Sequence, residues 1–222
     1  MFNGSMRTDG RVERGNQTRR AILARSMQIA SVEGLGGLSL GRVAAELNVS
    51  KSGVFALFGS MEELQLATVR AAIAVYVEHV VAPSREMPAG VGKLERICQD
   101  WLAYSKGRVF EGGCFFFAVT AEFDARGGPI RDLVAKANLD WIEFLETTVD
   151  EAVAAGGIVA GTDATQLAFE LIALLEYANL RSLLHGDDAA YDRAAEAITR
   201  RRRDLTARAP VRATGTAGPS PA

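Results

Sequence analysis

The chain has 222 residues, 48% apolar and 23% charged, the balance of a globular protein long enough to bury a core without disulfides or metals. Its longest unbroken apolar run, Ala71–Val77, falls far short of the roughly 18 residues a membrane span needs, and residues 1–20 lack the apolar stretch of a secretory signal. The formal charge of −2 hides a split: residues 1–60 hold eight basic against four acidic side chains, and the rest holds 17 against 23, the asymmetry of a chain whose N-terminal end meets a polyanion.

Taken in order, almost every segment has helical periodicity and none has the alternation of a strand. Residues 1–15 are polar and Gly-rich, with Met1–Ser5 resembling a tag remnant, and are expected to form a disordered arm outside the fold. A first helix is predicted from about Thr18 to Glu33, stopped by Gly34. Ser39 caps a short helix carrying Val43, Ala44 and Leu47, Asn48 suits a left-handed turn, and Ser50 caps a second short helix through Phe58. Ser60 and Glu63 form a capping box opening a long helix, about Glu62–Val81, that ends at Pro83. Beyond the Pro/Gly loop 83–92, helices are expected at about Lys93–Lys106, Cys114–Ala125, Ile130–Ala155, Asp163–Leu184 and Ala189–Ala207, with Pro129 at a favoured first position. Residues 208–222 have the Pro, Gly and Thr content of a disordered tail. The fold class is all-α, with about nine helices.

The informative stretch is Ser39–Phe58, SLGRVAAELNVSKSGVFALF. Its two helices are too short to be stable alone. Leu40, Val43, Ala44, Leu47, Val54 and Phe58 can pack on each other and on Ile22, Ile29 and Ala30, which makes a three-helix helix-turn-helix unit. The opposite face of the second helix (Lys51, Ser52, Gly53 and Ala56) is small, polar and cationic, suited to a major groove about 12 Å wide. Ser50 at its N-cap places backbone N–H groups and the helix dipole near a phosphate.

These residues resemble the DNA-binding domain of the tetracycline-repressor (TetR) family of transcription regulators over about residues 16–76. The matching run is TRRAIL…SMQIASVEGLGGLSLGRVAAELNVSKSGVFALFGSMEEL, with the helix-turn-helix at 39–58. The resemblance implies an N-terminal three-helix DNA-binding domain and a larger helical ligand-binding and dimerisation domain over residues 77–207. The implied DNA contacts are Arg19, Arg20, Ser39, Arg42, Ser50, Lys51, Ser52, Gly53 and Phe55. Two departures stand out. Phe55 replaces a common tyrosine whose hydroxyl binds phosphate, and Met61 replaces a common lysine.

The implied partners are a palindromic double-stranded operator, a second copy of the chain through about residues 163–207, and a small apolar or aromatic effector. The expected dimer face comprises Leu167, Leu171, Leu174, Leu175, Ala178, Leu183, Ala194, Ala195 and Ile198. Twelve of the 16 aromatic residues follow Pro83, and Trp101, Tyr104, Phe117, Asn138, Trp141, Phe144 and Tyr177, with Asn179 as a further polar anchor, are the candidate ligand contacts. Cys114 opens a helix whose dipole would lower a thiol pKa and admit redox sensing. Arg200–Arg203 reads as a solvated helix face. Two lone cysteines, Cys98 and Cys114, and two distant histidines, His79 and His185, supply no disulfide framework, metal site or catalytic triad. No cofactor or metal is expected, the protein is read as cytoplasmic, and no nucleophile–base pair or phosphate loop supports an enzyme. The expected function is a ligand-responsive regulator, a homodimeric repressor released by its effector. The alternative is a helical small-molecule-binding module that has lost DNA affinity.

Overall fold

Capping side chains set the helix starts. Ser39, Ser50, Ser60 and Asp163 each accept a hydrogen bond from the backbone N–H three residues on, at 3.0–3.1 Å, which satisfies one of the four unpaired donors at a helix start. The computed structural model describes residues 6–206. Its helices are α1 Met6–Glu33, α2 Leu40–Glu46, α3 Lys51–Phe58, α4 Met61–Tyr76, α5 Val91–Lys106, α6 Phe115–Phe123, α7 Pro129–Ala154, α8 Ala164–His185 and α9 Ala189–Leu205. Among the described residues there is no strand.

Helix α1 starts at Met6, not near Thr18. Residues 6–15, expected to lie outside the fold, therefore continue the helix. Nothing in that stretch stops one: it has no proline, and Gly10 and Gly15 each cost only about 1 kcal/mol relative to Ala. The proposed tag remnant Met1–Ser5 and tail 208–222 lie outside the described residues. At the other end of α1, Gly34 adopts φ +74°, and the chain makes a 3-10 turn over Leu35–Gly37. Asn48 takes the left-handed conformation expected of it, φ +54°.

Helix α4 is the spine between the two halves. The stretch Met61–Ser84 is long and apolar enough to pass for a membrane span, but Leu64, Val69, Ala72, Tyr76 and Val80 are buried within the protein. The long helix predicted to Val81 changes pitch at its end. Val77–Val81 form a π-helical turn and Ala82–Ser84 a 3-10 turn, and such pitch changes often accompany functional sites.

In the body, α8 packs between α7, α5 and α9. This corrects the expected dimer face. Leu167, Leu171, Leu175, Ala178, Ala194 and Ile198 are all buried inside this one chain, because α8 has apolar residues around most of its circumference. The large exposed apolar side chains of α8 are Phe169 (69% exposed), Tyr177 (60%), Leu183 (42%) and Leu184 (68%). The arginine run is also more than a solvated face. Arg200 pairs with Glu196, Arg201 with Glu170 of α8, and Arg202 with Glu95 of α5, so two of its members tie α9 to the body.

Candidate functional site

Helices α2 and α3 hold together by burying Val43 and Ala44 of one, and Val54 and Phe58 of the other, with Ile22, Ile29 and Ala30 of α1. That leaves Ser50, Lys51, Ser52, Phe55 and Ala56 exposed on one surface around α3, with Gly53 half-buried. Phe55 is 54% exposed, a large aromatic held outward on a short helix. Ser50 accepts from the Gly53 N–H at 3.0 Å, and the Ser52 hydroxyl lies 3.2 Å from that of Ser50. Lys51 and the exposed Arg20 make no salt bridge among the described residues.

The other two arginines have different work. Arg19 donates to the Leu57 carbonyl at 2.8 Å and lies 4.3 Å from the centre of the Phe58 ring, so it fastens α1 to the C-terminal end of α3, where a cation suits the helix dipole. Arg42 forms a fork with both oxygens of Glu33, at 2.6 and 2.7 Å, and also donates to Glu46 and to the Gly37 carbonyl. These bonds raise its pKa further, while Arg42 holds Glu33, and Arg25 then Arg42 hold Glu46, below the usual carboxylate range. Arg19 and Arg42 therefore position the short helices, and a phosphate would have to displace existing partners to reach Arg42. Ser39, exposed, caps α2.

The helix-turn-helix unit is docked on the body through the C-terminal part of α1. Arg25 bridges Glu46 and, at 3.2 Å, Glu111. Gln28 donates to the Val109 carbonyl and accepts from the Glu111 N–H. Glu122 of α6 accepts from the Leu35 and Gly36 N–H groups at 2.6 and 2.9 Å. Gly112 donates its N–H to Ser31 Oγ at 3.0 Å, and a Cβ there would sit 1.9 Å from the Ser31 carbonyl oxygen. Gly112→Ala is accordingly expected to destabilise the chain by about 1–3 kcal/mol through forced backbone shifts. Gly127→Ala, where a Cβ meets nothing within 4 Å, is expected to stay within about 0.5 kcal/mol. Urea denaturation of the two variants checks the contrast.

Inside the body lies a cavity of about 370 Å³, within the range of about 300–1,000 Å³ usual for small-molecule sites. Its walls are Ile73 and Tyr76 of α4, Val77 and Val81 of the π-helical turn, Cys114 and Phe116 at the start of α6, a row from Leu133 to Phe144 on α7, and Glu176 of α8. Tyr76 is the hub of the aromatic wall, edge-on to Tyr104, Phe116 and Trp141 at 5.3–5.6 Å. Of the candidate ligand contacts, the structure brings Asn138, Trp141 and Phe144 to the cavity. Trp101 and Tyr104 are core residues behind Tyr76. Phe117 is half-buried against the core and does not line the cavity. Tyr177 points outward, and its neighbour Glu176 does the lining. Asn179 is fully buried, its Oδ1 accepting from Ser105 Oγ and the Cys114 N–H, so it braces the bundle.

Cys114 also departs from expectation. Complete burial pushes its thiol up, outweighing the backbone N–H groups that pull it down. A buried thiol that resists ionisation is a poor redox sensor. The cavity residues with the most chemical character, Tyr76 and Glu176, are not among the residues expected from the sequence. Tyr76 precedes Pro83 and so falls outside the aromatic cluster of the C-terminal part. Glu176 carries a usable signal, as the single acid within the apolar run LIALLEYANL.

Residues 22–68 match the model of bacterial regulatory proteins of the tetR family, and residues 90–198 match the tetracyclin repressor-like C-terminal domain. The chain belongs to the TetR family. It is a transcription regulator, not an enzyme, with an N-terminal DNA-binding domain and a C-terminal ligand-binding domain. Solved structures share the fold. A TetR regulator from Chloroflexus aurantiacus superposes with TM-score 0.81 at 22% identity, covering 87% of this chain and 98% of its own. One from Cytophaga hutchinsonii gives TM-score 0.74 at 23% identity, covering 88% and 98%. A regulator from Saccharomonospora viridis, solved in complex with choline, gives 0.75 at 18% identity, covering 87% and 100%. No curated protein sequence matches the chain.

Proposed function

We propose that the protein is a cytoplasmic repressor that binds a palindromic operator as a homodimer and is released by a small molecule held in the body cavity. The observation that carries the DNA side is α3 itself: a capped helix with Ser50, Lys51, Ser52 and Phe55 exposed together and Val54 and Phe58 buried beneath them. In this reading α3 enters the major groove, with Lys51 reaching base edges and Arg20, Ser39, Ser50, Ser52 and the Gly53 backbone lying against phosphates. Phe55 makes apolar contact in place of a phosphate hydrogen bond. Arg19 and Arg42 hold the reading surface in shape.

Two continuous elements support coupling of cavity to operator. Helix α4 carries Tyr76 of the cavity wall at one end and begins at the helix-turn-helix at the other. Helix α6 carries Phe116 of the wall at its start and, near its end, Glu122 on the Leu35–Gly36 turn. A ligand that shifts either changes the separation of the two recognition helices, which half-sites one helical turn apart hold to about 34–36 Å. A preference for the mis-spaced state of about 1–3 kcal/mol cuts occupancy 5–150-fold.

Duplexes selected from a random pool, or the DNA upstream of the chain's own gene, provide the assay. Lys51→Ala is expected to weaken specific binding by about 1–3 kcal/mol and to relax sequence preference. Arg20→Ala is expected to weaken all duplexes alike and to flatten the salt dependence. Wild-type protein that selects no sequence and binds no duplex would leave a ligand-binding module without DNA function.

A further inference from the structure

The cavity wall is mostly apolar and aromatic; Lys136, Asn138 and Asp140 on its α7 side are polar, and Glu176 adds a carboxyl group from α8. Glu176 Oε2 is buried and has no hydrogen-bond partner. A lone carboxylate in such a place is costly unless something pairs with it. The cations near the cavity do not. Lys136, at the rim, is exposed and held by both oxygens of Asp140 at 2.8 Å. The rings of Tyr76, Trp141 and Phe144 line the same cavity, and the faces of such rings attract cations.

We propose that the cavity takes an organic monocation, a protonated or quaternary amine on an apolar body, with the Glu176 carboxylate as counter-charge and the Tyr76, Trp141 and Phe144 rings as its cage. The proposal rests on the body being a ligand-binding domain and adds the charge and class of the ligand. Shape and charge agree with it. The aromatic and aliphatic walls suit the apolar body, Glu176 neutralises the head, and the Lys136–Asp140 pair at the rim is neutral overall and leaves the interior charge to Glu176.

The groups facing Glu176 sharpen the test. They are the Tyr76 phenol on α4, the Tyr104 phenol on α5 and the Cys114 thiol before α6, while the Lys136–Asp140 pair on α7 lines the same cavity at its exposed rim. Burial pushes both phenols and the thiol up, so they stay protonated near neutrality. Burial likewise pushes the Glu176 carboxyl up to about 7. His79, exposed, lies outside the cavity lining with its ring 6.4 Å from that of Tyr104. A permanent cation must therefore bind the ionised form of Glu176 and lose affinity as that group takes its proton.

Benzyltrimethylammonium and its uncharged carbon isostere, neopentylbenzene, are the probes, titrated into the full chain by calorimetry and tryptophan fluorescence. At about pH 8 the cation is expected to bind at least about tenfold tighter than the isostere, and its affinity to fall about tenfold by pH 6. Glu176→Gln is expected to erase both the preference and the pH dependence, which also separates Glu176 from His79. Equal binding of the two probes, or cation binding unchanged in Glu176→Gln, would overturn the proposal. Affinity that rises as pH falls would overturn it too, and would point to protonated Glu176 donating to an acceptor on a neutral ligand. Operator binding is scored separately. Sequence-specific DNA binding with no uptake of the cation leaves the regulator standing and removes the cationic ligand. Cation uptake without DNA binding does the reverse.

Discussion

Replacing Glu176 with glutamine is expected to stabilise the ligand-free protein at pH 8 by about 3 kcal/mol and to remove a decline in stability between about pH 4.5 and 7. In the folded chain burial pushes this carboxyl up to about 7, whereas its ordinary value is 4.5. Between those two values the folded state keeps a proton that the unfolded state has released. Stability from this group is therefore greatest below the unfolded pKa, is lost as pH rises through the folded one, and stays constant above it. Glutamine has nearly the same volume and no charge to desolvate, so the variant should match the wild type at the acid end and exceed it at the alkaline end. The carboxyls held low by arginines, Glu33, Glu46 and Asp187, and Glu170, held low by the Gln166 amide and then Arg201, act in the opposite direction and lose their contribution only as pH falls through the acid range. Urea denaturation at fixed protein concentration, run at about pH 5 and pH 8 on both proteins, isolates the Glu176 contribution as a difference. Parallel pH profiles would show that the carboxyl is solvated in the folded state, and would weaken the case for an unpaired counter-charge in the cavity.

Local rules make the helix-turn-helix legible in the amino-acid sequence. The serine caps at 39, 50 and 60, Gly34 and Asn48 are short-range signals, and each has the conformation or hydrogen bond its residue type favours. What stays hidden depends on contacts between distant residues. Arg42 and Glu46 lie one helical turn apart and can be paired from sequence, but the fork to Glu33 arises from the fold of the intervening turn. Nothing in the sequence VEHVV announces the π-helical turn at Val77–Val81. Tyr177 and Glu176 are adjacent in sequence yet project about 100° apart around α8, so a one-residue difference decides which faces the cavity. An aromatic count favours Tyr177; the structure turns Glu176 inward. The same ambiguity affects the dimer face, since a helix apolar on nearly all sides does not declare which side meets its own core.

That correction makes the proposed dimer testable with residues that the core does not need. Phe169, Ala173, Tyr177, Leu180 and Leu184 recur at helical spacing along α8, and Phe169, Tyr177 and Leu184 are each 60% exposed or more. An outward aromatic and aliphatic stripe of this kind is unusual on a monomer and suits a two-fold contact in which the same patch serves both copies. A Phe169→Glu, Tyr177→Glu double variant is expected to stay folded, because neither side chain packs inward, and to halve the mass measured by light scattering. Operator affinity should fall by about 10²–10⁴-fold, the loss that follows when two linked half-site contacts become independent. Leu139→Glu, an equally drastic change at a 63% exposed residue of α7, should leave both mass and affinity unchanged. If the double variant keeps the wild-type dimer mass, the contact lies elsewhere, on the outer surface of α9 or on α7. A monomeric wild type would mean that DNA is bound one half-site at a time, and the ligand could then no longer act by changing the spacing of two recognition helices.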